Sequence, residues 1–116
     1  MNGHYVSGLS FLTIEINHEE VEFLVDTGFN GALLLSLKKI NELNLKRIGF
    51  AQYTTADGAI IDAEIFSIEI EWFSKKKQVS VIASQSDFSL LGMELLRNTK
   101  IILEPSKEIL IIEQAK

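Results

Sequence analysis

The stretch Val21-Glu22-Phe23-Leu24-Val25-Asp26-Thr27-Gly28 carries an apolar, strand-like run onto a carboxylate and a glycine. A second apolar run, Ala32-Leu33-Leu34-Leu35, follows after Phe29-Asn30-Gly31. A carboxylate buried at the tip of a tight turn is costly unless it is paired or hydrogen-bonded. Two readings are open for Asp26. It can cap its own turn by bonding a backbone amide two residues on. It can also be the carboxylate of a catalytic site.

Outward from this stretch the chain reads as mainly β. Leu12, Ile14 and Ile16 alternate with Thr13, Glu15 and Asn17, the period-two pattern of a half-buried strand. Asn17-His18-Glu19-Glu20 reads as a hairpin turn, and residues 21–25 as the returning strand. Residues 32–35 are uniformly apolar, as expected for a strand buried on both faces. Ser36 is placed to cap a helix of about two turns, with Leu37, Ile40 and Leu43 at helical spacing. Strand character returns at residues 50–54, and Ala56-Asp57-Gly58-Ala59 marks a hairpin tip, because Asp-Gly supplies the positive φ of tight hairpins.

The next strand, residues 60–72, changes phase. Ile61, Ala63 and Ile65 share one face, and Phe66, Ile68, Ile70 and Trp72 the other, which predicts a bulge or bend near Ile65-Phe66. Lys75-Lys76-Lys77 reads as a solvated hairpin tip leading to Val79, Val81 and Ala83. Beyond the polar loop 84–89, Leu90-Leu91-Gly92 opens a short helix over 93–97, and strands over 100–103 and 108–112 flank Glu104-Pro105-Ser106-Lys107. The expectation is about eight strands and two short helices, closed or sandwich-like.

Composition narrows the functional classes. The chain has 116 residues, about the commonest domain size, so one domain over 1–116 is expected. A net charge of −5 argues against nucleic acid, whose phosphates require clustered Lys and Arg. There is no cysteine, which removes disulfides, thiol nucleophiles and Cys-based metal sites. His4 and His18 are too few and too isolated for a metal centre, so no metal and no cofactor is expected. Apolar runs of four or five residues are far short of the roughly 20 that span a bilayer, and the N-terminus lacks the basic-then-apolar order of a signal peptide. A soluble, cytoplasmic protein is the default expectation.

Three features then recur in the order found in the retropepsin-like aspartic proteases. They are the apolar strand leading to Asp26-Thr27-Gly28, the glycine-bearing hairpin tip Asp57-Gly58, and the apolar pair plus glycine Leu90-Leu91-Gly92. The chain resembles that family from about residue 12 to residue 112. Its Asp-Thr-Gly-Phe variant looks like the small prokaryotic single-domain branch. Each motif is unspecific alone; the ordered set carries the resemblance.

The resemblance implies a mainly β, closed retropepsin-like barrel of a single lobe with one or two short helices. It implies an aspartic endopeptidase that uses two carboxylates and a water, with no metal or covalent intermediate. Carboxylates about 3 Å apart share one proton, so one acts as base and the other as acid. One Asp-Thr-Gly supplies half of such a site, and a two-fold homodimer would bring the second Asp26 to the axis. By resemblance Thr27 bonds across the dimer, Gly28 lets the backbone approach the pair, and Leu90, Leu91 and Gly92 pack behind the loop. Residues 53–60, including Thr55, Ala56, Asp57 and Gly58, would form a flap over an extended peptide or protein substrate. Phe29 stands where better-known members carry Ala or Ser; it either narrows the pocket beside the pair or packs into the core, and packing is the better reading. The strand over 108–112 joins a dimer sheet or closes its own subunit. The alternative function is a catalytically silent module of the same fold that binds peptides or dimerises.

Overall fold

The computed structural model describes residues 1–54 and 57–115. Ten strands are present: β1 (His4–Val6), β2 (Leu9–Ile16), β3 (Glu19–Val25), β4 (Leu33–Ser36), β5 (Lys46–Thr54), β6 (Ile60–Trp72), β7 (Lys75–Ser84), β8 (Leu90–Leu91), β9 (Thr99–Glu104) and β10 (Ile109–Gln114). Helix α1 (Leu37–Leu43) follows β4, and α2 (Met93–Leu96) follows β8. The two strands beyond the expected eight are β1 and β8. Both are very short, and neither spans enough residues to show a period.

Three two-residue hairpins set the registers. Ser7-Gly8, Asn17-His18 and Phe73-Ser74 have positive φ at both positions, the geometry whose twist matches that of flanking strands. Two expectations are corrected here. Glu19 and Glu20 belong to β3 and not to the turn, because Ile16 already faces Glu19. The lysine run is not the hairpin tip, because Trp72 faces Lys75 and all three lysines lie in β7. Neither Phe73 nor Ser74 is a residue type that favours positive φ, and the closed β6–β7 ladder forces them into the left-handed region.

The strand order is β1-β2-β3-β8-β4-β7-β6-β5, with β9–β10 as a separate hairpin. β2 lies against β6, so the sheet folds over its own core, with no ladder joining β5 to β1 among the described residues. The segment before β1 ties the last hairpin to the rest. Asn2 pairs with Ile111, and the Gly3 amide donates to the Leu110 carbonyl at 2.9 Å. The final strand therefore pairs within its own chain.

The phase change in β6 is present, and its cause is in the neighbouring strand. Ala63 is buried before it and Phe66, Ile68, Ile70 and Trp72 after it. Opposite this point Arg47 faces Phe66 and Gly49 faces Ile65, which leaves Ile48 as the extra residue of a bulge in β5. Trp72 and Phe73 make an edge-to-face pair at 5.3 Å and pack on the core.

The core gathers Phe23, Leu33, Leu35, Val81, Leu91 and Ile112, all fully buried. β4 lies between β8 and β7, which is why residues 33–35 are apolar on both faces. Ser36 caps α1 by accepting the Lys39 amide at 3.1 Å, and Asn44 ends the helix in the left-handed region. Ile40 and Leu43 are buried beneath α1, whereas Leu37 is exposed. No helix among the described residues is long and apolar enough to cross a membrane.

Candidate active site

Asp26 follows the last residue of β3, and the loop it opens closes at β4. Both strands are gripped by the two residues of β8. Leu24 and Val25 pair in parallel with Leu90 and Leu91. On its other edge the same pair runs antiparallel to Leu34 and Leu33. Leu91 thus faces both the entry and the exit of the Asp26 loop. It is fully buried, so loop and core are fixed at one point.

Backbone hydrogen bonds complete the grip. The Asp26 amide donates to the Leu91 carbonyl at 2.9 Å, the Leu24 amide to the Ser89 carbonyl at 2.8 Å, and the Gly92 amide to the Ala32 carbonyl at 2.9 Å. The Met93 amide donates to the Phe29 carbonyl at 2.7 Å and the Glu94 amide to the Gly31 carbonyl at 3.2 Å. These last two are first-turn donors of α2, which have no partner inside their own helix. The loop carbonyls satisfy them. The helix start and the Asp26 loop thus complete each other's hydrogen bonding.

Glycine is required where the two segments touch. A Cβ on Gly92 would lie 2.5 Å from the Phe29 carbonyl oxygen and against the Phe29 ring and the Gly31 carbonyl. A Cβ on Gly31 would meet the Phe29 ring at 2.6 Å. The half-buried Phe29 ring therefore lies over both glycines and backs the loop; it does not join the hydrophobic core, so the core packing favoured from sequence gives way to packing on the loop itself.

At the tip, the Gly28 amide donates to Asp26 Oδ1 at 2.9 Å and the Phe29 amide to the Asp26 carbonyl at 3.2 Å. The local turn that one reading of Asp26 anticipated is present, and it orients the carboxylate. Asp26 is half-buried, not buried, and Thr27 and Gly28 are exposed. Among the described residues nothing covers the tip of the loop. No ion pair involves Asp26, and no hydrogen bond engages the Thr27 hydroxyl, among the described residues. No group of three His, Cys, Asp or Glu side chains among them could hold a metal ion.

Sequence reading brought Asp26, Thr27, Gly28 and Phe29 together with Leu90, Leu91 and Gly92, and the structure places these segments against each other. Asp57 and Gly58 stand at the end of the β5–β6 hairpin, a separate element; Gly58 has φ +87°, and the Ala59 amide donates to Asp57 Oδ1 at 3.2 Å. Thr55 and Ala56 lie outside the described residues. The amides of Met93 and Glu94 and the carbonyl of Ser89 were missed, because backbone groups leave no mark in a sequence.

Comparison with known proteins gives the same assignment. The profile described as gag-polyprotein putative aspartyl protease matches residues 12–98. No curated protein matches the chain significantly. A retropepsin-like aspartic protease from Rickettsia conorii superposes with TM-score 0.70 at 24% identity, over 97% of this chain and 88% of that one. The EIAV protease, solved with the inhibitor HBY-793, superposes with TM-score 0.69 at 15% identity, over 86% of this chain and 98% of that one. A simian foamy virus (mac) protease gives 0.55 at 17% identity, over 74% of this chain and 90% of that one. At these identities the structures speak for the fold, and the matched profile, which spans most of the chain, speaks for descent. The chain belongs to the gag-polyprotein aspartyl protease family and is retropepsin-like in fold.

Proposed function

We propose that the chain is an aspartic endopeptidase whose active site forms between two copies, each contributing Asp26. The observation that carries this reading is a half-buried carboxylate held in place beside an exposed loop tip. Asp26 is anchored through its own amide to Leu91 and through Oδ1 to the Gly28 amide, yet its loop tip is open to solvent. One chain supplies one such group. A two-fold contact at the loop tip is self-complementary and would set two carboxylates side by side.

In that dimer the pair would hold a single proton between them, because two adjacent carboxylates cannot both ionise. The ionised member takes a proton from a water positioned between them, and the water attacks the peptide carbonyl. The protonated member donates to the carbonyl oxygen and later the proton reaches the leaving amine. The pair titrates as a unit. Thr27, whose hydroxyl has no partner among the described residues, would bond across the axis. The β5–β6 hairpin would cover an extended peptide, which gains main-chain hydrogen bonds as an added strand does. In this reading residues 1–116 act as one lobe.

The test joins a peptide-library cleavage assay across acid to neutral pH with sedimentation of the same samples. Wild type is expected to cleave as a dimer. Asp26→Asn keeps an oxygen for the Gly28 amide and is expected to retain the dimer while losing at least about a thousandfold in rate, the scale of positioned acid–base groups. Cleavage by that variant at the wild-type rate, or by a strict monomer, would rule the pair out.

A further inference from the structure

β6 and β7 part company before β6 ends. Their ladder runs from Trp72 opposite Lys75 to Ile65 opposite Ile82. Beyond it, β7 continues along β4, with Leu35 facing Ala83 and Ser36 facing Ser84. β6 continues along β5 alone, from Glu64 opposite Phe50 to Ile60 opposite Thr54. The fork between them is a groove of about 460 Å³, lined by residues 61–64, residues 83–86 and Leu37. Its size falls in the range of ligand clefts, about 300–1,000 Å³. None of Asp26, Thr27, Gly28 and Phe29 lines it.

Four consecutive strand residues line this groove. Side chains of a strand alternate between faces, so a run of four marks the edge of β6, not one face. On that edge every second residue turns its N–H and C=O away from β5, and no strand pairs there among the described residues. Asp62 and Glu64 lie on one face of the edge, two residues apart, and Ile61 and Ala63 lie on the other. Glu64 is 3.6 Å from Arg47, Asp62 has no ion pair among the described residues, and no basic residue lines the groove.

We infer that this fork is a second peptide-docking groove, separate from the carboxylate site, which takes an extended segment with Lys or Arg at alternate positions. Such a segment would pair with the free β6 edge as an added strand. Its basic side chains would fall opposite Asp62 and Glu64, whose spacing of about 6.8 Å is that of i, i+2 residues on one strand face. Its intervening small apolar side chains would lie toward Ile61 and Ala63. The inference rests on the peptidase reading only in supposing that such a segment flanks a substrate; the binding stands alone.

The experiment is an amide-resolved NMR titration of the Asp26→Asn protein, which does not cleave the probe, with acetyl-Val-Lys-Val-Lys-Val-amide. Saturable shifts at residues 61–64 and 83–86 are expected. Affinity is expected to fall about fivefold in an added Asp62→Asn/Glu64→Gln background, the scale of two exposed charge pairs, and similarly for a probe with Glu replacing Lys. Shifts confined to residues 26–29, no shifts, or affinity indifferent to both charge changes would overturn the docking groove. So would a sedimentation result in which the charge variant changes only self-association, since the fork would then hold a second copy. A failed titration leaves the cleavage assay of the wild type untouched, so the two readings fail separately.

Discussion

The α-carbon of Gly92 sits so close to the Phe29 carbonyl that a Cβ there would come within 2.5 Å of the oxygen. The neighbour is backbone, already held by the Met93 amide at 2.7 Å, so it cannot swing aside. Gly92→Ala is expected to cost about 1–3 kcal/mol, as overpacking does, and to move the Asp26 loop. Gly31→Ala meets only the end of the Phe29 ring and Ile82, which can turn, and is expected to cost less. Urea midpoints of the two variants check the order; equal midpoints would contradict it.

Leu91 is fully buried where β8 meets both β3 and β4. Leu91→Ala leaves a cavity at the one point that fixes both ends of the loop, and a loss of about 2–5 kcal/mol is expected. Hydrogen exchange at the Asp26 and Gly92 amides should quicken more than at β6 and β7. Uniform quickening would mean that the cavity weakens the whole fold and not this junction.

Thr27 is exposed and its hydroxyl has no partner among the described residues. Thr27→Val should therefore leave the stability of an isolated chain within about 0.5 kcal/mol, as at other surface positions. If two loops meet at the axis, the same change should weaken the dimer measurably in sedimentation. A variant with unchanged association would place the contact elsewhere.

Lys39 carries a clear titration shift. Its ammonium donates to Glu19 at 2.8 Å and lies 3.7 Å from Glu42. The Glu19 hydrogen bond holds its pKa above the usual 10.5, against a smaller opposing effect of burial. A pKa raised by folding stabilises the native state below the unfolded value, and that contribution fades as pH rises through the folded value. Lys39→Met should therefore cost at most about 1 kcal/mol at neutral pH, since the pair is partly exposed. The difference from wild type should shrink above pH 10.5. A difference that persists there would assign the effect to packing of the lysine stem.

Much of the strand pattern was legible because burial writes itself into periodicity. β6 was read at its full length, Ile60–Trp72, and α1 with its Ser36 cap, since alternation and capping are local. The turn at Phe73-Ser74 was not legible, because its left-handed residues are imposed by the ladder on either side. The bulge was read in the right place along β6 but belongs to β5, since a phase change reports that register shifts and not which strand carries the extra residue. β8 was seen only as two apolar residues before a glycine; its role between β3 and β4 depends on neighbours far away in the chain, Leu24 and Val25 on one edge and Leu33 and Leu34 on the other.

By itself the sequence determined the class of fold, the Asp26 loop and the Leu90-Leu91-Gly92 segment that meets it, because hydrophobic periodicity, turn residues and the ordered motifs are properties of neighbouring residues. Only the tertiary structure decided how those segments serve one another. It showed that Leu91 pins both ends of the loop, that the first amides of α2 are spent on loop carbonyls, and that Asp26 stands half-open at the tip. These are relations between backbone groups far apart in the chain. Hydrogen-bond partners and solvent cover exist only once the strands have paired.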